Sequence, residues 1–248
     1  MQNNPFSLEG KKVLITGASS GIGYATAIEC SRMGANLVIT GRNKERLESC
    51  LNSLLGNGHT LIQADLTNKE DIGQLIDQVP ALDGIVICAG QGMTLPIKSA
   101  NTQKYQDIFD INFFAPVELL RLLFKGKKLN SAASIVIIAS IGGTFRFEPA
   151  NAVYGTSKAA VNTFMKFAAI EFAAKGIRVN SICPGMVETS LMKNGRFSEE
   201  QLEAYRETYP LKRFGKPEEI GQAAIYLLSD AASWVTGTSL VIDGGMSI

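Results

Sequence analysis

Three observations predict a doubly wound α/β sandwich for this 248-residue sequence. Short runs rich in Val and Ile alternate with longer helical segments along the whole chain. The runs are apolar at most positions, as strands covered on both faces should be. A glycine-rich turn, "TGASSGIG" (16–23), follows the first run and leads directly into a helical segment. Parallel strands joined by right-handed helical crossovers satisfy all three. The expectation is a single domain over 1–248, a three-layer sandwich of the Rossmann type, with ligands at the carboxyl ends of about seven strands.

In chain order the expected strands are "KKVLIT" (11–16), "NLVIT" (36–40), "TLIQAD" (60–65), "GIVICA" (84–89), "SIVIIAS" (134–140), "RVNSIC" (178–183) and "SLVID" (239–243). Helices are expected near 21–33, 43–55, 68–78, 101–125, 151–175 and 217–229. The first helix runs from the glycine turn to Gly34, a suitable C-cap. The segments at 101–125 and 151–175 carry apolar residues around much of their circumference, which predicts a partner on a second face. The longest break in the alternation, about 185–216, follows the sixth strand and is expected to form a lid over substrate.

Composition narrows the function. With 46% hydrophobic and 19% charged residues and a net charge of +1, the chain has no general attraction to nucleic acid or an anionic membrane. No apolar run approaches the roughly 18 residues that span a bilayer, and the start lacks a signal peptide's basic and apolar regions. Cys30, Cys50, Cys88 and Cys183 have no metal-ligand spacing and read as reduced thiols, so a cytoplasmic protein without a metal site is expected. The one histidine, His59, heads a strand. A Ser-His-Asp hydrolase would have to use it as its base.

Gly17, Gly21 and Gly23 let the backbone approach a pyrophosphate and let the helix start close to the strand, while its free N–H groups face the anion. The spacing is G-x-x-x-G-x-G, distinct from G-x-G-x-x-G. At the end of the second strand, "ITGRNKER" has no acid at Thr40 or Gly41 to hold a ribose 2′-hydroxyl. Arg42 follows instead and can meet a 2′-phosphate with a bidentate fork, so NADP(H) is favoured over NAD(H). Ser19 and Ser20 add hydroxyls to the same turn.

In "VYGTSKAAV" (153–161), Tyr154 and Lys158 stand four apart and share a helix face. One reading is a buried tyrosine beside a lysine that snorkels to water. The other is a phenol held near a cation so that it exchanges a proton at neutral pH. That requires about 4 kcal/mol of preferential stabilisation of the phenolate.

Several ordered stretches together resemble the short-chain dehydrogenase/reductase family over nearly the full length. They are "TGASSGIG" (16–23), "ADL" (64–66), "CAG" (88–90), "IN" (111–112), Ser140, "YGTSK" (154–158), "NSICPGMVET" (180–189) and "VIDGG" (241–245). The resemblance implies an oxidoreductase with Tyr154 as general acid/base and Lys158 on the cofactor ribose and lowering the phenol. It implies that Ser140 binds the substrate oxygen and that Asn112 opens the long helix around a proton-relaying water. It places Gly17, Ser19, Ser20, Gly21, Ile22, Gly23 and Arg42 on the cofactor, with Asp65 and Leu66 at the adenine. Ala89 and Gly90 would pass the ribose, and Pro184, Gly185, Val187 and Thr189 would lie at the nicotinamide. The chain departs from the pattern at Cys88, where the family usually has Asn, a substitution that removes paired amide hydrogen bonds.

The pattern is closest to the 3-oxoacyl-[acyl-carrier-protein] reductase branch, which implies a carbonyl or acyl-thioester substrate, acyl carrier protein as a candidate partner, and a homotetramer, with a dimer second. Lys125, Lys127, Lys128 and Lys175 are candidates for meeting an acidic carrier. Phe145, Arg146 and Phe147, with Met186, Leu191, Met192, Phe197 and Tyr205 from the lid, predict a partly apolar pocket. Alternatives are a family enzyme acting on another ketone, sugar or alcohol, an NAD-dependent alcohol dehydrogenase, and a cofactor-sensing protein without turnover. Arg42 opposes the second, and the intact Ser140, Tyr154 and Lys158 oppose the third.

Overall fold

A computed structural model describes residues 4–189 and 198–248. Seven strands form one sheet: β1 (Lys12–Thr16), β2 (Asn36–Gly41), β3 (Thr60–Gln63), β4 (Leu82–Ile87), β5 (Leu129–Ile138), β6 (Arg178–Pro184) and β7 (Ser239–Ile242). Their order is β3-β2-β1-β4-β5-β6-β7, with every pairing parallel. The chain winds outward from β1 to β3 and then returns to place β4 against the other side of β1. Helices that follow β1 and β4 leave in opposite directions there, which opens a crevice at the carboxyl ends of these two strands.

Successive residues of a strand face opposite sides, so each central strand feeds two cores. Ile135 and Ile137 of β5 pack with Leu119, Leu123, Val161 and Met165 on one face. Val136 and Ile138 pack with Ala27, Leu47, Ile220 and Leu228 on the other. Each fully buried Leu or Ile stabilises the fold by about 1.5–3 kcal/mol relative to leaving it in water. That is why these strands read as continuous apolar runs.

The helices are α1 (Gly21–Arg32), α2 (Lys44–Asn52), α3 (Lys69–Gln78), α4 (Thr102–Phe109), α5 (Ala115–Lys125), α6 (Ala152–Phe172), α7 (Glu199–Glu207) and α8 (Pro217–Leu228). Three differences from expectation have local causes. The segment expected as one helix over 101–125 is broken by a π-helical turn, Asp110–Phe114. Pro116 has no amide to give the Asn112 carbonyl, so α-helical bonding fails there, and the Ala115 amide reaches back to Asp110 instead. Strand β5 starts at Leu129, earlier than 134, because its first residues pair across a register shift at Leu82 and Gly84. The break at 185–216 contains α7, whose start is fixed by a capping box between Ser198 and Gln201.

One buried polar cluster fixes α6 on the sheet. Asn162 Oδ1 accepts from Ser181 Oγ of β6 at 2.5 Å and from Ser239 Oγ of β7 at 2.9 Å. Asn162 lies one helical turn beyond Lys158, so this contact sets the register of the face that carries Tyr154 and Lys158. Among the described residues, no helix is long and apolar enough to cross a membrane.

Candidate active site

The crevice is a cleft of about 350 Å³ at the carboxyl ends of the strands. One end is built by the β1–α1 turn. Gly17 has φ +68°, and a Cβ there would lie 2.9 Å from the Ala89 Cα. A Cβ on Gly23 would collide with the Gly17 carbonyl. These glycines therefore let two chain segments touch at the cleft floor, as the turn residues predicted. The first turn of α1 carries no acidic residue, and Ser20, at the N-cap position, makes no side-chain cap bond. The helix start is thus open to an anion.

Sixteen of the expected site residues line the cleft: Gly17, Ser19, Ser20, Gly21, Ile22, Arg42, Leu66, Ala89, Gly90, Ser140, Tyr154, Lys158, Pro184, Gly185, Val187 and Thr189. Three do not. Gly23 sits behind the turn, where it allows the helix to approach the strand. Asp65 turns its carboxylate to Thr67, accepting from that residue's amide at 2.9 Å and its hydroxyl at 2.7 Å, with Arg42 at 4.0 Å. Burial pushes Asp65 up, but the two Thr67 bonds and the Arg42 guanidinium outweigh it and hold the carboxyl below its ordinary value. Asn112 lies under the cleft floor, 1% exposed. Its Oδ1 accepts from the Gln91 amide at 2.8 Å, while Nδ2 donates to the Gln91 carbonyl at 2.9 Å and to Ser157 Oγ at 3.0 Å. The side chain fastens the loop after β4 to α6, a role that the motif alone did not specify.

Ser140, Tyr154 and Lys158 meet at the other end of the cleft. Ser140 Oγ accepts the Gly142 amide at 3.0 Å, which leaves its own proton free to be donated. Lys158 is 5% exposed, and its Nζ donates to the Ile138 carbonyl at 2.8 Å. Burial lowers Lys158 from its ordinary 10.5 to about 8. Burial also raises the Tyr154 phenol above its ordinary value, outweighing the Ser140 hydroxyl that pulls it down. Burial, rather than the nearby Lys158 amine, is the largest influence on the Tyr154 phenol. Desolvation dominates both groups, and the ammonium spends one hydrogen bond on a strand carbonyl.

Cys88, the departure from the family pattern, also lines the cleft. Burial raises its thiol to about 12, so it stays protonated. The junction is held instead by Thr16, whose hydroxyl accepts the amides of Cys88 at 3.0 Å and Ala89 at 3.1 Å. Thr16, Gln91, Gly92 and Ile111 are site residues that sequence reasoning passed over. Thr16 opens the quoted glycine motif and Ile111 opens the quoted "IN" stretch, but neither was given a role there.

Other expectations fall away from the cleft. Phe145, Arg146 and Phe147 do not line it, and Phe147 is 80% exposed. Of the lid residues, Met186 lines it and Tyr205 does not, while Leu191, Met192 and Phe197 lie outside the described residues. Lys125, Lys127, Lys128 and Lys175 sit where α5 and α6 lead into the amino ends of β5 and β6, opposite the cleft of their own chain. Lys128 caps α3 by donating to the Val79 carbonyl at 2.9 Å, and Lys175 lies 4.2 Å from the Phe124 ring centroid. His59 is structural. Its Nδ1 accepts the Leu37 amide at 3.1 Å, which assigns the proton to Nε2, 3.0 Å from the Leu55 carbonyl.

A glycine-floored anion site joined to a serine, a phenol and a buried amine defines a dinucleotide-dependent oxidoreductase. The chain belongs to the short-chain dehydrogenase/reductase family, whose members use a nicotinamide cofactor. A family model described as Enoyl-(Acyl carrier protein) reductase matches residues 17–247. The chain is similar to the 3-oxoacyl-[acyl-carrier-protein] reductase FabG of Rickettsia felis, with 36% identity over 240 residues, 96% of this chain and 98% of the relative. Glucose 1-dehydrogenase of Gluconobacter oxydans is 29% identical over 246 residues, 96% of this chain and 92% of that protein. A crystal structure of a dehydrogenase/reductase from Sinorhizobium meliloti matches with TM-score 0.91 and 29% identity over 98% of each chain.

The buried amine has a measurable consequence. Lys158 has its folded value below its unfolded one, so the unfolded chain binds more protons above pH 8 and stability rises with pH. Relative to Lys158→Met, in which the thiols and phenols remain, wild type should gain about 1.4 kcal/mol between pH 7 and 9. Urea denaturation at both pH values measures it. A gap that does not change with pH would mean that the ammonium is solvated.

Proposed function

We propose that the protein is an NADPH-dependent reductase that converts a carbonyl to a hydroxyl, with a 3-oxoacyl thioester as the substrate class. The observation that carries this reading is the meeting of Ser140, Tyr154 and Lys158 in the cleft that also contains the β1–α1 turn. The likeness to the Rickettsia reductase supports the thioester class. A hydroxyl-rich substrate is the second reading, favoured by the Gluconobacter likeness.

A dinucleotide suits the cleft because Gly17, Gly21, Ala89, Gly90 and Gly185 give it a lining of small residues, and Gly90 lets the floor pack closely on what lies beneath. A Cβ on Gly90 would lie 2.9 Å from Asn112 Oδ1 and 3.3 Å from Lys158 Nζ. The β1–α1 turn and α1 start would hold the pyrophosphate, Ala89, Gly90 and Lys158 the ribose, and Pro184, Gly185, Val187 and Thr189 the nicotinamide. When bound, the nicotinamide supplies the hydride. Tyr154 gives its phenolic proton to the carbonyl oxygen, and Ser140 donates a hydrogen bond to that oxygen as charge develops. Lys158 has two further ammonium protons after its bond to Ile138, and its charge favours the phenolate left on Tyr154. Asn112 acts from below by fixing Gln91, and its carbonyl, freed by Pro116, is an acceptor for a relay water.

Arg42 is 59% exposed and only loosely paired with Asp65, so its fork is available to a 2′-phosphate. A Cβ on Gly41 would lie 3.3 Å from Ser19 Oγ, close enough for a substituent to occupy the same corner. The assembly proposed is a homotetramer. Phe114, Phe167 and Ile170, on the two segments with surplus apolar surface, are 49%, 61% and 76% exposed.

Three outcomes test these readings. Tyr154→Phe should lose more than about nine-tenths of kcat for an acyl thioester while keeping NADPH affinity near wild type, since only the proton donor is removed. Retained turnover would assign the proton elsewhere. Charge-assisted bonds from Arg42 predict a preference for NADPH of about ten- to a hundredfold in kcat/KM, which Gly41→Asp should abolish or invert. Equal use of NADH by wild type would turn Arg42 to solvent. Light scattering should give about four times the 26.7 kDa chain mass. A monomer would mean that the exposed phenylalanines face water.

A further inference from the structure

The loop between β5 and α6 carries Ser140 near its start and is folded tightly on itself. The Ile141 carbonyl accepts the amides of Thr144, Phe145 and Arg146, at 3.2, 2.8 and 2.9 Å, and the Gly143 amide donates to the Arg146 carbonyl at 2.9 Å. Arg146 is thereby fixed relative to Ser140. The loop also buries the Thr144 hydroxyl without a partner, a cost that ties from outside must offset.

Those ties come from the C-terminal segment and from α7, through Arg146 and Glu148 of the loop. Arg146 Nε donates to Glu148 Oε1 at 2.8 Å, and its NH1 donates to the Met246 carbonyl at 2.9 Å. Tyr205 of α7 donates its hydroxyl to the same Glu148 oxygen at 2.8 Å. The Tyr205 ring stands edge-on to Tyr209, with centroids 5.7 Å apart. Tyr209 in turn accepts the Met186 amide on its hydroxyl at 2.9 Å. A continuous set of contacts thus runs from Ser140 on one cleft wall to Met186 on the other. The proposed chemistry uses none of its middle members.

We propose that Glu148 and Tyr205 are positioning residues that lock α7 to the β5–α6 loop and so fix the gap in which the reacting carbonyl sits between Ser140 and Met186. The inference rests on the reading of this cleft as a carbonyl-reducing site. Neither residue lines the cleft. Their effect is on substrate placement, and the proton chemistry of Tyr154 is untouched by them. Losing the bond should let both partners open locally. Because Glu148 accepts a cationic and a phenolic donor on one oxygen, the amide of Gln keeps an acceptor for Tyr205 while losing the ion pair.

Hydrogen–deuterium exchange on the full chain tests the lock without any substrate. In Tyr205→Phe, which keeps the aromatic packing, amides of α7 and of 143–146 should both exchange roughly tenfold faster. Glu148→Ala should match it, and Glu148→Gln should fall closer to wild type. Faster exchange in α7 with 143–146 unchanged, or no change in either, would overturn the lock. With NADPH and ethyl acetoacetate as probe, Tyr205→Phe should raise KM by roughly tenfold at nearly constant kcat. An equal fall in kcat with KM unchanged would overturn the positioning role. If wild type does not reduce the probe, the substrate reading fails and the exchange arm alone decides the lock.

Discussion

Lys158 keeps its ammonium out of water with one bond to the Ile138 carbonyl, and the rest of the cleft is arranged around that contact. An amine buried at the carboxyl end of a central strand is costly, so each neighbouring element contributes to holding it. Gly90 leaves the space into which Nζ projects. Asn112 ties the loop that carries Gly90 and Gln91 to α6 through Ser157, the residue before Lys158. Asn162, one turn further along, anchors the same helix to β6 and β7. The helix that carries the phenol and amine is therefore fixed by three residues on two successive turns, which suits a site whose chemistry depends on where a proton sits.

Desolvation dominates the electrostatics of this site. It lowers the amine to about 8 and raises the phenol, so burial favours the neutral forms of both. On the proposed reading, the positive nicotinamide ring beside the phenol would offset that cost, which would couple proton transfer to cofactor binding. The protonated Cys88 thiol fits the same logic, because it adds no charge to the floor.

The five inner strands were legible because they are covered on both faces and their residues had to be largely apolar, while the edge strands β3 and β7 are only partly buried. The glycine turn was legible because close approach at Gly17 and Gly23 admits no side chain. Contacts between distant segments were not. Nothing at Thr16 announces that its hydroxyl takes the two amides that follow β4, and nothing at Asn112 specifies Gln91 as its partner. The π turn could have been read from Pro116, and α7 from the Ser198–Gln201 spacing. Both were masked by strong signals around them: a long apolar stretch and an apparent lid. The pairing of Tyr154 and Lys158 was visible as a spacing, but its electrostatic sense was not, since burial is a property of the whole fold.

Burial holds the Tyr154 phenol up, and on the proposed reading the positive nicotinamide ring of NADP+ would bring it down. Ultraviolet titration of tyrosinate, taken as the difference between wild type and Tyr154→Phe, isolates this one phenol among six. Without cofactor, the difference signal should appear above pH 10, and saturating NADP+ should move it well below. A Tyr154 signal that titrates below pH 10 without cofactor, or one that NADP+ leaves in place, would contradict the account.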